Sequence, residues 1–344
     1  APEPGKVREG SRDDGGLKAR PQSLTHLGGL PAAAASAVVR SERLGVIVDL
    51  DGWIGDDPPR ALMAAHPAPV RAQWLGWAGS TGDSSVHYVA ADATIVPPRH
   101  RDGFTETLLL LPRCYQLNDH AQLYPHVLGE GALSGAPPPL ARPTIANFNQ
   151  LMKVSPDVFG VWASAMRRAP RARLLLLTGV TNARVPYGAT TRNLRAELLS
   201  RGVRAPRLVG GSALPKPAHL LRARGCALAV DTLSYNSHTT GADALWSGLP
   251  LLTLSGGHLA SRVGASLGAS AAMPHALVAS FRWYEDAVIA LLAPQPPGGR
   301  RPSLLAPTAA TWTEPAARLR PADTFGTFSL SGENEPTAGL LRGA

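Results

Sequence analysis

The chain has 344 residues, of which 44% are apolar and 6% aromatic, and carries a formal charge of +9. That is enough for two ordinary domains with a real core, while 35 glycines and 32 prolines require long stretches of loop. No apolar run is long enough to span a bilayer, no secretory signal is visible, and two cysteines (Cys114 and Cys226) make no disulfide framework, so a reducing compartment is expected. The positive charge is scattered arginine rather than a basic stripe interleaved with aromatics. It reads as solvated surface, and neither nucleic acid nor membrane is an expected partner.

Residues 1–43 are polar, small and aperiodic and read as disordered. From Leu44 the texture changes. LGVIVDL (44–50) has the β-branched character of a buried parallel strand, a turn follows at Asp51-Gly52, and a helix is possible from Pro58 to Ala65. VHYVAAD (86–92) and TLLLLPR (107–113) read as two more strands. Residues 44–128 thus form a small first region, and the Pro-rich stretch GEGALSGAPPPLARP (129–143) is a linker.

Residues 144–293 alternate strand and helix. TIANF (144–148), RLLLLTG (173–179), PRLVGG (206–211), CALAVDT (226–232) and LPLLTL (249–254) are strands. Helices follow from Ser155-Pro156 to Arg168, Thr190 to Gly202, Lys216 to Arg224, Thr239 to Trp246 and His258 to Leu267, with a last one from Tyr284 to Leu292. Five successive βα units predict an α/β, doubly wound parallel sheet whose ligand lies outside the carboxyl ends of its strands. Residues 294–344 are polar and sparse and read as a disordered tail. No repeat with the period of a helical array is visible.

Three loops fall at that edge. In YNSHTTGADALW (235–246) the N–H groups of Thr239, Thr240 and Gly241 are expected to be unpaired in the first helical turn, an anion site suited to a diphosphate. His238 stands at its mouth, and Asp243, one turn in, can reach a ribose hydroxyl. NFNQLMKVSP (147–156) offers Asn149, Gln150 and Lys153, the ammonium able to neutralise charge on a departing diphosphate. LPKPAHLL (214–221) brings Lys216 and His219 to a helix start, for ribose or phosphate and for stacking on a base. Each loop alone is also compatible with an ordinary cap, turn or solvated lysine; three in one register are more telling.

The same residues carry a resemblance. NFNQLMKVSPDVFGVWASAM, ALPKPAH and above all ALAVDTLSYNSHTTGADALWSGLPLLTLSGGHLASRVGAS resemble the C-terminal catalytic lobe of the O-GlcNAc transferase family. HPAPVRAQWLGWAGSTG (66–82) and LNDHAQLYPH (117–126) resemble segments around the end of its first lobe, so the likeness runs from about Leu44 to Leu292. It implies a two-lobed Rossmann-like (GT-B) architecture, with the C-terminal lobe complete and the N-terminal lobe truncated. It further implies inverting, metal-independent transfer of GlcNAc from UDP-GlcNAc to Ser or Thr hydroxyls of proteins, in cytoplasm, nucleus or both. Gln150 and Lys153 would contact the diphosphate, Lys153 stabilising the UDP leaving group. Leu214, Lys216 and His219 would hold the uridine, His238, Thr239 and Thr240 the phosphates, and Asp243 the ribose, with Leu75 and Gly76 near the sugar.

The sequence also departs from the family. Met152 replaces an aromatic, Tyr235 a small residue or cysteine, and Ala78 a proline. Nothing in residues 1–43 resembles the family's histidine-bearing first-lobe segment, His26 being the one histidine there, and no tetratricopeptide repeats are present. Two alternatives stay open: a nucleotide-sugar-binding fragment or pseudoenzyme without transferase activity, and a protein O-fucosyltransferase using GDP-fucose.

Overall fold

The computed structural model describes residues 25, 27, 29–54, 59–65, 67–127, 142–179, 187–273 and 277–292. The tail from 294, residues 129–141 of the linker and the segment up to 24 lie outside them, and so do the expectations made there. Two parallel sheets build the fold. The first has four strands in the order β1 (Val46–Asp49), β2 (Val70–Gln73), β3 (Tyr88–Asp92) and β4 (Thr107–Leu111). The second has six, taken along the chain as β5 (Thr144–Asn147), β6 (Arg173–Gly179), β7 (Leu208–Ser212), β8 (Leu228–Val230), β9 (Leu251–Leu254) and β10 (Leu277–Val278). Their spatial order is β10-β9-β8-β5-β6-β7, parallel throughout. The sheet grows outward from β5 in one direction and from β8 in the other. The loops after these two central strands therefore diverge, and such a switch point opens a crevice at the carboxyl edge.

Helices pack on the sheets: α1 (Ala32–Ser41), α2 (Pro59–Ala64), α3 (His120–Leu123), α4 (Pro156–Arg168), α5 (Tyr187–Ser200), α6 (Lys216–Arg224), α7 (Thr239–Trp246), α8 (Val263–Ser270) and α9 (Phe281–Leu292). Helix α4 shows how sequence dictates the element. The Ser155 hydroxyl accepts from Val158 N at 3.4 Å, Pro156 opens the first turn, and Arg167 and Arg168 close the last. Val158, Phe159, Trp162, Ala163 and Met166 recur every three or four residues and are buried, facing Tyr284, Val288 and Leu292 of α9. The Arg207 guanidinium then donates to the carbonyls of Met166, Ala169 and Ala172 (2.7–2.8 Å), satisfying carbonyls at and beyond the end of α4.

The two sheets share one hydrophobic cluster, in which Ala91, Ile95 and Tyr115 meet Ala146, Leu251, Val263 and Leu267. Polar struts cross the same boundary. The Asp92 carboxylate accepts from Tyr115 N (2.9 Å) and from the Ser266 hydroxyl (2.7 Å), and Arg262 Nε donates to Thr94 O (2.9 Å). Among the described residues, no helix is long and apolar enough to cross a membrane.

Four expectations are corrected. Residues 32–41, expected to be disordered, form α1, because an alanine run has the highest helix propensity and here buries Ala35 and Val39. The strand β2 was not foreseen. VRAQ shows no alternation, and its Arg71 is buried only because Nε and Nη1 donate to Ser85 O (2.5 Å) and Ala68 O (2.8 Å). The strand β1 was expected to be buried, yet Val46 and Val48 are 55% and 45% exposed: they share one uncovered face of a strand that, among the described residues, pairs with β2 alone. The helix expected from His258 starts only at Val263, after a short 3-10 turn at Leu259–Ser261.

Trp162 is fully buried between α4 and α9. Trp162→Ala should lower the unfolding free energy by about 3–5 kcal/mol, read as a shift in the urea midpoint.

Candidate functional site: a polar cleft at the carboxyl edge of the second sheet

The cleft begins with a buried carboxylate. Asp231, directly after β8, has no exposed surface. Its Oδ1 accepts from Thr232 N (2.9 Å), Ser237 N (2.7 Å) and Ser237 Oγ (2.7 Å), and its Oδ2 accepts from Thr253 Oγ1 (2.8 Å). Burial raises its pKa to about 6, against the pull of those hydrogen bonds. The bonds fold residues 232–237 into a tight loop that delivers α7. Asn149, from the loop after β5, ties in the second wall. Its amide donates to Thr232 Oγ1 (2.8 Å) and Ser237 Oγ (2.9 Å), and its Oδ1 accepts from Thr240 Oγ1 (2.6 Å). A Cβ at Gly241 would lie 2.8 Å from Leu267 Cδ1 and 3.0 Å from Ser237 Cβ, so only glycine lets the first turn of α7 sit this close.

The resulting cleft has a volume of about 870 Å³ and is lined by Gln150, Lys153, Leu214, Lys216, His219, His238, Thr239, Thr240 and Asp243. Nine of the residues singled out in the sequence thus converge on one space. Leu75 and Gly76 do not line it. They follow β2, Leu75 at φ 72°, and a Cβ on Gly76 would meet the Leu50 carbonyl oxygen and, at 2.8 Å, Asp51 Cα. Their link to the cleft is indirect: the indole of Trp74 donates to Tyr115 O (3.0 Å), and the buried Tyr115 ring meets His238 edge-on at 6.3 Å.

Two details differ from expectation at α7. The N–H of Gly241 is not free but donates to His238 O at 2.9 Å, because the helical bonding starts there. The first-turn donors that remain are those of Thr239 and Thr240. Lys216 is already engaged, its Nζ 2.6 Å from Asp243 Oδ2, while Asp243 Oδ1 lies 2.7 Å from His120 Nε2. Burial alone would raise the Asp243 carboxyl, but the hydrogen bonds from His120 and Lys216 outweigh it and hold it below the ordinary carboxylate value.

Both cleft histidines are held neutral. His219 is pushed down to about 4, first by burial and then by Arg222, whose Nη2 donates to its Nδ1 at 2.7 Å; Phe148 meets the ring edge-on at 4.7 Å. His238 is likewise at about 4, by burial and by the Lys153 charge. Its ring stacks on Tyr235 at 4.7 Å, and a hydrogen bond with the Ala260 backbone partly offsets the lowering. Lys153 Nζ stands 3.8 Å over the Tyr235 ring and 3.5 Å from Asn236 O; burial lowers it to about 8, against the pull of Asp231. Outside the cleft, Asp49 Oδ1 accepts from Asp51 N (2.9 Å) and Gly52 N (3.0 Å), closing its own turn.

The cleft therefore offers two ammonium groups and a helix N-terminus beside two neutral imidazoles and a carboxylate. That suits a dianionic group joined to a hydroxylated ring and a flat base. Sequence reasoning missed Phe148 and Arg222 in the lining of the cleft, and Tyr115 and His120 behind it. Phe148 lay inside the NFNQLMKVSP stretch and His120 inside LNDHAQLYPH, but neither was singled out.

Comparison with known proteins agrees. The profile of glycosyl transferase family 41 matches residues 25–136 and 142–294, so the chain belongs to that family. It is 26% identical over 284 residues to a protein of Arabidopsis thaliana named probable UDP-N-acetylglucosamine--peptide N-acetylglucosaminyltransferase SEC, covering 81% of this chain and 28% of that protein. It is 22% identical to the Caenorhabditis elegans UDP-N-acetylglucosamine--peptide N-acetylglucosaminyltransferase, covering 67% of this chain and 29% of that protein. Among solved structures, a mutant O-GlcNAc transferase of Thermobaculum terrenum superposes with TM-score 0.72 at 29% identity, covering 86% of this chain and 53% of that one. The chain thus spans about half of that structure and under a third of these curated relatives.

The two histidines set a pH dependence. With pKa values near 4 in the fold against an ordinary 6.5, the unfolded chain binds more protons between these limits. Stability is full above pH 6.5 and falls as the pH drops toward 4; Asp231, raised to about 6, works in the opposite sense over the lower part of that window. His238→Gln should flatten the fall of the thermal midpoint between pH 7 and 4.5 relative to the parent chain, because the Asp231 contribution is common to both.

Proposed function

We propose that this chain binds UDP-GlcNAc in the cleft and, without a divalent metal, transfers GlcNAc with inversion to Ser or Thr hydroxyls of proteins in the cytoplasm or nucleus. The observation that carries the proposal is the convergence of Lys153, the Thr239–Thr240 helix start, the Lys216–Asp243 pair and His219 on one cleft, in a chain that belongs to family 41. Each supplies one part of a nucleoside diphosphate sugar site.

Thr239 and Thr240 N–H groups, backed by the α7 dipole, hold the diphosphate, with Gln150 beside it. His238 lines the cleft beside them, at the mouth of the same turn. The neutral His219 presents a flat face to the uracil, with Leu214 at its edge. Asp243 retains lone pairs for ribose hydroxyls, since a carboxylate accepts about four hydrogen bonds and two are taken. As the bond from the sugar's anomeric carbon to the phosphate oxygen breaks, the pair goes to the diphosphate, while the acceptor hydroxyl oxygen attacks the opposite face and its proton is released to solvent. The charge grows on the leaving oxygen, and Lys153, held back by half-burial over Tyr235, neutralises it there. A lysine and a helix N-terminus then do what a divalent cation does in other sites.

Calorimetry with UDP, UDP-GlcNAc and GDP-fucose tests the donor without an acceptor. Uridine ligands should bind and GDP-fucose should not; tighter binding of GDP-fucose would move the assignment to fucose transfer. UDP-GlcNAc binding with no transfer to any peptide would leave a donor-binding module. Lys153→Ala should lower turnover about 10²–10³-fold while changing UDP affinity far less. His219→Ala should instead weaken UDP itself. Because the ammonium is the active form, turnover should decline on the alkaline side of about pH 8 in the parent chain.

A further inference from the structure

Among the described residues, Asp243 is the one carboxylate lining the cleft, and its side chain is 2% exposed. A buried carboxylate is useful to a ligand only if its oxygens are aimed and some of their lone pairs are left over. Lys216 reaches Oδ2 on a flexible stem that is 36% exposed, which does not fix an orientation. His120 holds the other oxygen. It comes from α3 in the segment between the two sheets, its side chain is 7% exposed, and its Nε2 lies 2.7 Å from Oδ1. For that contact to be a hydrogen bond to a carboxylate, Nε2 must carry the proton.

The imidazole is itself held. It stacks on Trp246, one turn further along α7 than Asp243, at 5.8 Å and 26°, and packs against Tyr124 at 5.9 Å. Trp246 Nε1 donates to Tyr124 O (3.2 Å), and Arg224 Nη1 donates to Val127 O (2.7 Å), fastening the same segment to the second lobe. His120 does not line the cleft. We infer that His120 is a positioning residue for the donor: it aims the Asp243 carboxylate at the ribose hydroxyls and makes ribose recognition depend on the docking of the inter-sheet segment. The inference rests on the proposed uridine site, and its test separates the two.

The test is a cycle of protein and ligand changes, read by calorimetry with UDP and 2′,3′-dideoxy-UDP. The parent chain should bind UDP more tightly than the dideoxy compound. His120→Phe keeps a ring on Trp246 but removes the donor. It should weaken UDP about tenfold, the scale of one hydrogen bond to a charged group, and leave the dideoxy compound within about twofold. His120→Gln keeps an N–H at nearly the same reach and should retain most of the preference for UDP. Equal loss of both ligands in His120→Phe, or an unchanged preference in it, overturns the positioning role. So does a preference lost in His120→Gln but kept in His120→Phe. Failure of the parent chain to bind UDP at all would overturn the uridine site, and the inference with it, before any variant is compared.

Discussion

The cleft depends on one ionisable group that does not line it. Asp231 sits at zero exposure at the end of a central strand, where an unpaired charge would be prohibitive. Its four hydrogen bonds bind the start and end of the loop 232–237 and reach across to β9 through Thr253. The loop therefore cannot relax without orphaning a buried carboxyl. Asn149 extends the constraint to the loop after β5, so the two walls of the cleft are one hydrogen-bonded object. The N–H donors at the start of α7 are preorganised by this framework.

A second constraint joins the sheets. Asp92 at the end of β3 receives donors from the inter-sheet segment and from α8, and Arg262 reaches back to Thr94. With the shared apolar cluster around Ile95, Val263 and Leu267, this boundary resembles an interior more than a hinge. Tyr115 belongs to both systems: its N–H is held by Asp92, its carbonyl by Trp74, and its ring faces His238. The first lobe thus touches the cleft through buried side chains even though its own glycine-rich loop at Leu75–Gly76 stays outside it.

How far the sequence was legible follows from what each signal measures. The βα alternation of the second sheet and the cap of α4 rest on local periodicity and on Ser155-Pro156, and both were readable. The cleft residues were readable because all three of their loops follow parallel strands, and the carboxyl edge is where such loops meet. The strand β2 was not, because its pairing and the satisfaction of Arg71 are supplied by residues distant in sequence. The exposure of β1 was hidden for the same reason: β-branched runs report strand formation, not whether a neighbour covers the strand. His120 could be placed in a family-like stretch but not paired with Asp243, 123 residues away, and the engaged state of Lys216 depended on that pairing.

The chain holds only four lysines, Lys6, Lys18, Lys153 and Lys216, against a basic charge otherwise carried by arginine. The two within the described residues both line the cleft, and burial gives Lys153 an unprotonated fraction near pH 8 that an ordinary surface amine lacks. Arginine does not acylate under such conditions, so an amine-directed reagent meets almost nothing on this lobe except the site itself. The composition thus provides, without engineering, a chemical handle on the cleft whose reactivity a bound ligand would mask.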